Sequence, residues 1–329
     1  MNRRPMNTRR KLLLALAATL AAPRLATAQE KMRRIVWFAA GRAGVPSPFL
    51  DALKSGLREL GWEEGRNISI TPHWTAGTPE DEERLAREML TSNPELIVTS
   101  GRNTVAVHRA RPTGPVVFSF SGNPVDAGFV QSFARPGGTM TGISLLSLDL
   151  AGKRIELLKE IVPHVRRMGV LTRPEHPGEQ RERAVSEEAA RKVGLTLVYA
   201  PIRSEAGFDE AFRAIAQARC DSLLVFPDGI MHANAARIAR FAVERRLAAV
   251  SGWAAFADNG LLLSYGPNLR DAYKGLARYV DRILRGARPA ALPVELPRTV
   301  EFVVNLKTAN ALGIKIPNSI RLRADRVIE

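Results

Sequence analysis

Short apolar runs alternate with amphipathic stretches along the chain from residue 34 onward. A run such as RIVWFAA at Arg34–Ala40 has the length and composition of a buried strand. The stretches between the runs repeat apolar residues at helical spacing, as Phe49, Leu53 and Leu57 do within Pro48–Leu60. Strands separated by helices in this way predict parallel sheets that are covered on both faces.

The pattern predicts a strand at each of the main apolar runs and a helix at each main amphipathic stretch. The predicted strands are Arg34–Ala40, Asn67–His73, Glu95–Thr99, Val116–Ser121, Met140–Leu145, Arg167–Leu171, Leu195–Ala200, Ser222–Phe226, Ala248–Ser251 and Thr299–Asn305, with a further apolar run bounded by glycine at Leu261–Ser264. The predicted helices are Pro48–Leu60, Thr78–Leu90, Asn103–Ala110, Asp126–Phe133, Leu150–Ile161, Pro177–Val193, Glu205–Ala218, Ala233–Arg245, Leu269–Leu284 and Lys307–Leu312. The alternation of strands and helices occurs in both halves of the chain, and no Gly/Ser linker separates the halves. The pattern therefore predicts two α/β lobes that are joined by several chain crossings.

Residues 1–28 have the pattern of an export signal. Basic residues come first, an apolar stretch follows at Leu12–Ala22, and Ala26-Thr27-Ala28 has the small residues of a cleavage site. The apolar stretch is too short to span a bilayer, which takes about 20 residues. The segment TRRKLL at 8–13 resembles a twin-arginine signal, and the general secretory route is the alternative. We expect a periplasmic protein that is cleaved near Ala28 and carries no lipid anchor, because no cysteine follows the site.

The export signal changes how the charge of the chain is interpreted. The 329 residues include 48 Lys and Arg against 33 Asp and Glu, a formal charge of +15 that could indicate nucleic-acid binding. Cleavage after Ala28 would leave 42 basic residues and a charge of +9, interleaved with acids on helix faces. We therefore expect no nucleic-acid partner. The single cysteine, Cys220, excludes a disulfide scaffold and is interpreted as a buried thiol.

Ligands of open α/β sheets bind beyond the carboxyl ends of the strands, so the loops that follow the strands are the candidate site. In the first half these loops are rich in small polar residues and lead into helix starts, where free N–H groups suit an anion. The alternative is that such residues only cap helices and form turns. The candidates in these loops are Ser47, Ser100, Gly101, Asn103, Thr104, Ser121 and Asn123.

In the second half, Asp228 follows an apolar run, and its carboxylate could bind an amine across the cleft. A turn-forming aspartate is the alternative. Trp253, Phe256 and Tyr265 follow the next apolar runs and could stack on a flat ligand. The alternative is that they pack in the core, and this alternative is favoured for Phe256.

Motifs of enzymes and cofactor sites are absent from the sequence. There is no GxGxxG, P-loop, GxSxG or HExxH motif, and the five histidines are scattered. His164 and His176 are expected at the surface. We therefore expect no cofactor, no metal and no catalytic residue.

Several segments, taken together, carry a family resemblance. They are GLRELGWEEGRNISI at 56–70, SGNPVDAGFVQSFARPGGTMTGIS at 121–144, LAGKRIELLKEIVP at 150–163, LLVFPDG at 223–229, LLLSYGPNLRDAYKGLARYVDRILRGARPAALPVELP at 261–297 and FVVNLKTANALGIKIPNSIRLRADRVIE at 302–329. The chain resembles the solute-binding proteins of ABC transporters, in the tryptophan/tyrosine-binding-like family. The resemblance implies a type I periplasmic-binding-protein fold, with two Rossmann-like lobes, a three-crossing hinge and a ligand that is enclosed between the lobes.

The resemblance also implies a domain division and a site. The division is a signal at 1–28, a first lobe at 32–146 plus 261–291, and a second lobe at 147–260 plus 292–329. The polar residues of the first-half loops would face Asp228, and Tyr265 would lie near a crossing. The loop Arg173-Pro174-Glu175-His176-Pro177, where the family more often has Asn-Pro, and the segment 251–256 depart from the family pattern. These departures leave an aromatic ligand in question.

The sequence thus predicts a monomeric extracytoplasmic protein that captures a small carboxylate-bearing ligand, such as an amino acid, and delivers it to an inner-membrane ABC permease. A periplasmic sensor that signals to a membrane receptor remains an alternative. A two-lobe α/β enzyme is a weaker one, because no nucleophile–base pair is evident in the sequence.

Overall fold

The computed structural model describes residues 32–75, 78–145 and 150–329, which form two parallel-sheet lobes. The predicted export signal lies outside the described residues. The first sheet has the strand order β2-β1-β3-β4-β5, and every pair in it is parallel. Its strands are β1 (Arg33–Ala40), β2 (Ile68–Thr75), β3 (Leu96–Ser100), β4 (Val116–Phe120) and β5 (Met140–Ser144).

The helices of the first lobe begin where the sequence offers a cap. They are α1 (Pro48–Glu59), α2 (Pro79–Thr91) and α3 (Arg102–Arg109). The hydroxyl of Ser47 accepts a hydrogen bond from the Leu50 N–H, and that of Thr78 accepts one from the Asp81 N–H. Each cap satisfies one of the free N–H groups at a helix start, and a proline follows each cap at the first position.

The second lobe holds a seven-stranded sheet of order β12-β11-β10-β9-β8-β6-β7. Its strands are β6 (Arg167–Thr172), β7 (Thr196–Pro201), β8 (Ser222–Val225), β9 (Ala248–Ser251), β10 (Leu263–Pro267), β11 (Val300–Asn305) and β12 (Arg326–Ile328). The helices from here to the end are α4 (Ala151–Ile161), α5 (Glu179–Lys192), α6 (Phe208–Gln217), α7 (Gly229–Ala233), α8 (Ala235–Glu244), α9 (Ala254–Asp258), α10 (Leu269–Leu284), α11 (Leu306–Leu312) and α12 (Asn318–Arg323), with 3₁₀ turns at Glu205–Gly207 and Pro289–Ala291. Only β10 and β11 pair antiparallel among the described strands.

The chain returns to the first lobe later than the sequence division expected. Strand β10 pairs with β9 and β11 in the second sheet, whereas α10 packs against α1 of the first lobe. The chain therefore leaves the second lobe between residues 267 and 269, and the assignment of 261–267 to the first lobe is wrong for β10. An apolar run that is bounded by glycine carries no sign of which sheet it will join.

Other local predictions also fail. Residues 124–128 form a turn in place of the predicted helix Asp126–Phe133. The predicted helix Ala233–Arg245 is present as α8, Ala235–Glu244, and the short helix α7 that precedes it was not predicted. The short elements α9, α12 and β12 were not predicted. Among the residues that the structure describes, no helix is both long and apolar enough to cross a bilayer.

Candidate functional site

The carboxyl ends of the two sheets face each other, and the loops that follow the strands make direct contacts between the lobes. The Ser121 hydroxyl, after β4, lies 2.6 Å from Nε2 of His176, after β6. Arg102, at the start of α3, donates from Nη1 to the Glu175 carbonyl oxygen at 3.2 Å. The lobes are therefore closed on each other in this structure.

His176 is the central residue of this contact, and its predicted surface position is wrong. The side chain is buried, because the turn that follows β6 directs it toward the first lobe; the His176 N–H donates to the Arg173 carbonyl to close that turn. The Gly178 N–H donates to Nδ1 of His176 at 3.2 Å. Burial lowers the pKa of His176, although the nearby Asp228 carboxylate opposes the shift.

These hydrogen bonds determine the tautomer of His176. Because Nδ1 accepts a hydrogen bond, the neutral ring carries its proton on Nε2, and Nε2 donates to the Ser121 hydroxyl. A serine nucleophile needs a histidine nitrogen that accepts its proton. The Ser121–His176 pair therefore has the wrong tautomer for nucleophilic catalysis and acts as a contact between the lobes.

Asp228 and Arg173 lie beside this contact in the second lobe. The Asp228 side chain accepts the Ile230 N–H at 2.7 Å, so it caps α7, and one of its oxygens lies 3.4 Å from Nη1 of Arg173. Both side chains are about 95% buried. Asp228 thus forms a turn, as the alternative interpretation predicted, and its carboxylate is also buried beside Arg173; the binding of a ligand amine stays a prediction. The space here is too narrow to admit water and is lined by Arg173, His176, Glu179, Glu182, Phe226, Pro227 and Asp228.

Two further ion pairs surround this space. Arg102 binds the buried Glu82 carboxylate of α2 at 3.2 Å; burial raises the pKa of Glu82, and Arg102 opposes the shift. Arg154 and Glu182 form a fully buried pair at 2.8 Å, and Nε of Arg154 donates to the Tyr265 carbonyl at 2.9 Å. The second pair therefore ties α4 and α5 to β10.

An aromatic column crosses from one lobe to the other. In the first lobe Phe49 stacks on Tyr273 with ring centroids 4.5 Å apart, and Tyr273 contacts Trp37 at 5.9 Å. Across the boundary, the Phe49 ring lies 5.6 Å from His232, which in turn lies 5.9 Å from Trp253. Burial lowers the pKa of His232, so a neutral ring fits this apolar position. Closure therefore buries aromatic as well as polar surface.

Most of the predicted first-lobe site residues have local partners. Ser47 caps α1, Asn123 accepts the Val125 N–H, and Asn103 accepts a hydrogen bond from the Thr75 hydroxyl. The remaining predicted residues are placed as follows: Thr104 is fully buried, Ser100 is half-buried, the Gly101 N–H donates to the Ser119 carbonyl oxygen, and the Tyr265 ring packs on Phe302. Ser121, Asp228 and Trp253 lie near the lobe boundary, and a ligand contact by any predicted residue remains a prediction.

Arg102, Arg173 and His176 are cleft residues that the sequence reasoning did not assign to the site. All three follow strands of the two sheets. A basic residue directly after a strand is a signal that could have found Arg173, whereas no local signal indicated the position of His176. Within the described ranges, no group of three His, Cys, Asp or Glu side chains is arranged to hold a metal ion.

Comparisons with known proteins match this two-lobe arrangement. A conserved domain protein of Vibrio cholerae superposes with a TM-score of 0.82 at 28% identity, covering 90% of this chain and all of that one. An ABC domain of Streptococcus pneumonia in complex with L-Trp superposes with a TM-score of 0.80 at 22% identity, covering 91% of this chain and all of that one. The fold is that of type I periplasmic binding proteins, as the sequence predicted.

Sequence comparisons give the family. The tyrosine-binding protein of Clostridioides difficile (strain R20291) is 23% identical over 289 residues, which cover 86% of this chain and 81% of that protein. The profile of the family described as ABC transporter substrate binding protein matches residues 48–328. That family consists of solute-binding proteins and not enzymes, as the absence of catalytic motifs indicated. Because the match spans most of its length, the chain belongs to the ABC transporter substrate-binding protein family.

Proposed function

We propose that the chain captures a small solute with a carboxylate and an amine, such as an amino acid, between its lobes and delivers it to an inner-membrane permease. The observation that carries the proposal is Asp228, a carboxylate that is buried at the lobe boundary. Its position suits a ligand ammonium that takes the place of Arg173, whose Nη1 lies 3.4 Å from the carboxylate and balances its charge in this structure. The relatives named for tyrosine and for a complex with L-Trp support an amino acid as the ligand class.

Closure explains how the solute would be held. The contacts between the lobes form only when the loops after β4 and β6 meet, so a solute that binds both lobes favours the closed state over the open one. The permease would then distinguish loaded from empty protein by the distance between the lobes. The contacts at Ser121–His176 and Arg102–Glu175 support the proposal that the solute is held by closure of the lobes.

The test is calorimetry of refolded, ligand-free protein against the twenty proteinogenic L-amino acids and other small metabolites. Asp228→Asn keeps the oxygen that caps α7 and removes the charge, so we expect it to bind an amine-bearing ligand about 10- to 100-fold more weakly. Asp209→Asn is the matched control, because Asp209 is 77% exposed in the same lobe. Failure of every amino acid to bind the wild type would refute the ligand class, and unchanged affinity of Asp228→Asn would remove Asp228 from the site.

The family works outside the cytoplasm, and we infer a monomeric protein of the periplasm that is cleaved near Ala28. The basic and apolar pattern of residues 1–28 supports this inference. Amino-terminal sequencing of the protein from a periplasmic extract would identify the cleavage site. Replacing Arg9 and Arg10 with lysine should block export if the twin-arginine route is used and leave it unchanged otherwise.

A further inference from the structure

Arg173 has an unusual position for an arginine. It follows the last residue of β6, its side chain is 5% exposed, and it lines a narrow space beside His176 and Asp228 whose lining residues all belong to the second lobe. Arginine is almost never buried to this extent unless its charge is balanced. Its position at the carboxyl end of a parallel strand is the one at which ligands of such sheets bind.

The contact between Arg173 and Asp228 is long for two oppositely charged groups. The nitrogen–oxygen distance is 3.4 Å, compared with 2.8 Å for the buried pair of Arg154 and Glu182 in the same lobe. Ion-paired hydrogen bonds are usually 2.7–2.9 Å. The tight pair joins three elements of the lobe core, whereas the long pair joins the loops that follow β6 and β8. A ligand that carries both an anion and a cation can take the place of each partner in the long pair.

Other polar groups at the lobe boundary already have structural roles. Arg102 binds Glu82 and the Glu175 carbonyl, Ser121 binds His176, and Asn123 caps a turn. Among the described residues that line the narrow space, Arg173 is the arginine, and the ionisable groups with it are His176, Glu179, Glu182 and Asp228. A ligand anion in this space would meet three carboxylates, so Arg173 is the lining residue whose charge suits it.

We propose that Arg173 binds the carboxylate of the solute and that Asp228 binds its ammonium. The space is too narrow for water in this structure, so a solute that binds both groups would lie between Arg173 and Asp228 and separate them. A zwitterion replaces both partners of that pair at once, and a simple anion or a neutral sugar would leave one charge buried without a partner. The ligand class is thus an α-amino acid or a zwitterion of similar length. This inference rests on the proposed function and adds the residue that recognises the carboxylate.

The experiment compares each L-amino acid that binds the wild type with its carboxamide, which keeps the shape and removes the negative charge. For the wild type we expect the carboxamide to bind about 10- to 100-fold more weakly than the acid. Arg173→Gln should weaken the acid by a similar factor and leave the carboxamide within about 3-fold. Arg173→Lys, which keeps the charge but loses the planar fork, should retain part of the preference for the acid.

Controls separate a binding effect from a folding effect. Arg213→Gln removes an exposed arginine of the same lobe and should bind both compounds as the wild type does. Thermal melting of each ligand-free variant checks folding, and Arg173→Lys replaces the glutamine variant if that variant does not fold.

The outcomes distinguish the two proposals. A wild type that binds no amino acid overturns the proposed ligand class and the role of Arg173 with it. A wild type that binds an amino acid, with an acid-to-carboxamide ratio that Arg173→Gln leaves unchanged, overturns only the assignment of Arg173.

Discussion

Replacing Ser121 with alanine should shift the ligand-free protein toward the open state. The hydroxyl accepts a hydrogen bond from Nε2 of His176 at 2.6 Å, and both side chains are buried in the closed state. In Ser121→Ala, the His176 N–H of the closed state has no acceptor there, whereas in the open state it binds water. Leaving a buried donor unsatisfied costs about 1–3 kcal/mol. The ratio of closed to open protein should therefore fall by about 5- to 150-fold.

Hydrogen exchange measures this shift even when the open state is rare. Opening of the lobes exposes the His176 loop to water, including the Gly178 N–H that donates to Nδ1 of His176, so exchange at Gly178 reports the opening. We expect exchange at Gly178 to accelerate in Ser121→Ala by the factor given above. Ser132→Ala is the control, because Ser132 is a half-buried first-lobe serine whose hydroxyl bonds to the backbone of Arg135 and not to the second lobe in the part of the chain that the structure describes.

A distance measurement identifies the motion. Spin labels at Arg87 and Lys192, both about two-thirds exposed and on different lobes, would report the separation of the lobes in a Cys220→Ser background. Equal exchange at Gly178 and equal distance distributions in Ser121→Ala and wild type would refute the view that this hydrogen bond helps to hold the lobes closed.

Three further predictions test the surroundings of the site. Burial lowers the pKa of His176 in the folded protein, so the unfolded chain binds more protons when the pH falls below about 6.5. The melting temperature of the wild type, compared with that of His176→Gln, should therefore fall as the pH drops below about 6.5 and stay level above it. Glu182→Leu leaves Arg154 buried without this carboxylate, so it should lower the free energy of unfolding in urea by about 3–5 kcal/mol. The double variant Glu182→Leu/Arg154→Met should recover most of that loss. A single variant as stable as the wild type would contradict the prediction. Gly142→Ala would place a Cβ 2.0 Å from a carbonyl oxygen of the neighbouring strand, so its soluble yield should collapse, whereas Gly138→Ala, with open space around it, should express normally.

The sequence predicted the regular part of the fold because that part depends on local patterns. Strand β1 and helix α10 fall within one residue of their predicted bounds, since apolar periodicity and caps determine both. The turn at 124–128 was mistaken for a helix, because the apolar residues between Asp126 and Phe133 have helical spacing, whereas Gly128 adopts a φ of 75° that a helix does not allow. The sheet that β10 joins depends on a partner, β11, that lies more than thirty residues further along the chain.

The candidate site was predicted at the level of loops and not of side chains. Asp228 was identified, because a carboxylate after an apolar strand indicates the cleft. His176 was placed at the surface because its neighbours Pro174, Glu175 and Pro177 are typical of exposed loops. Its burial comes from the first lobe, through Ser121, and no pattern within the 173–177 loop reports contacts with a residue 55 positions away.

The first lobe is assembled from segments at opposite ends of the chain, and this affects the order of folding. Helix α1 packs on α10, and Arg33 donates to the Leu284 carbonyl, 251 residues away. The face of α1 that packs on α10 therefore lacks this partner until α10 has been synthesised, roughly 10–50 s later at typical ribosome speeds. A fragment that ends before residue 269 would expose this face. The contacts that complete the lobe also have a high contact order, so we expect refolding to be slow and the newborn chain to depend on chaperones.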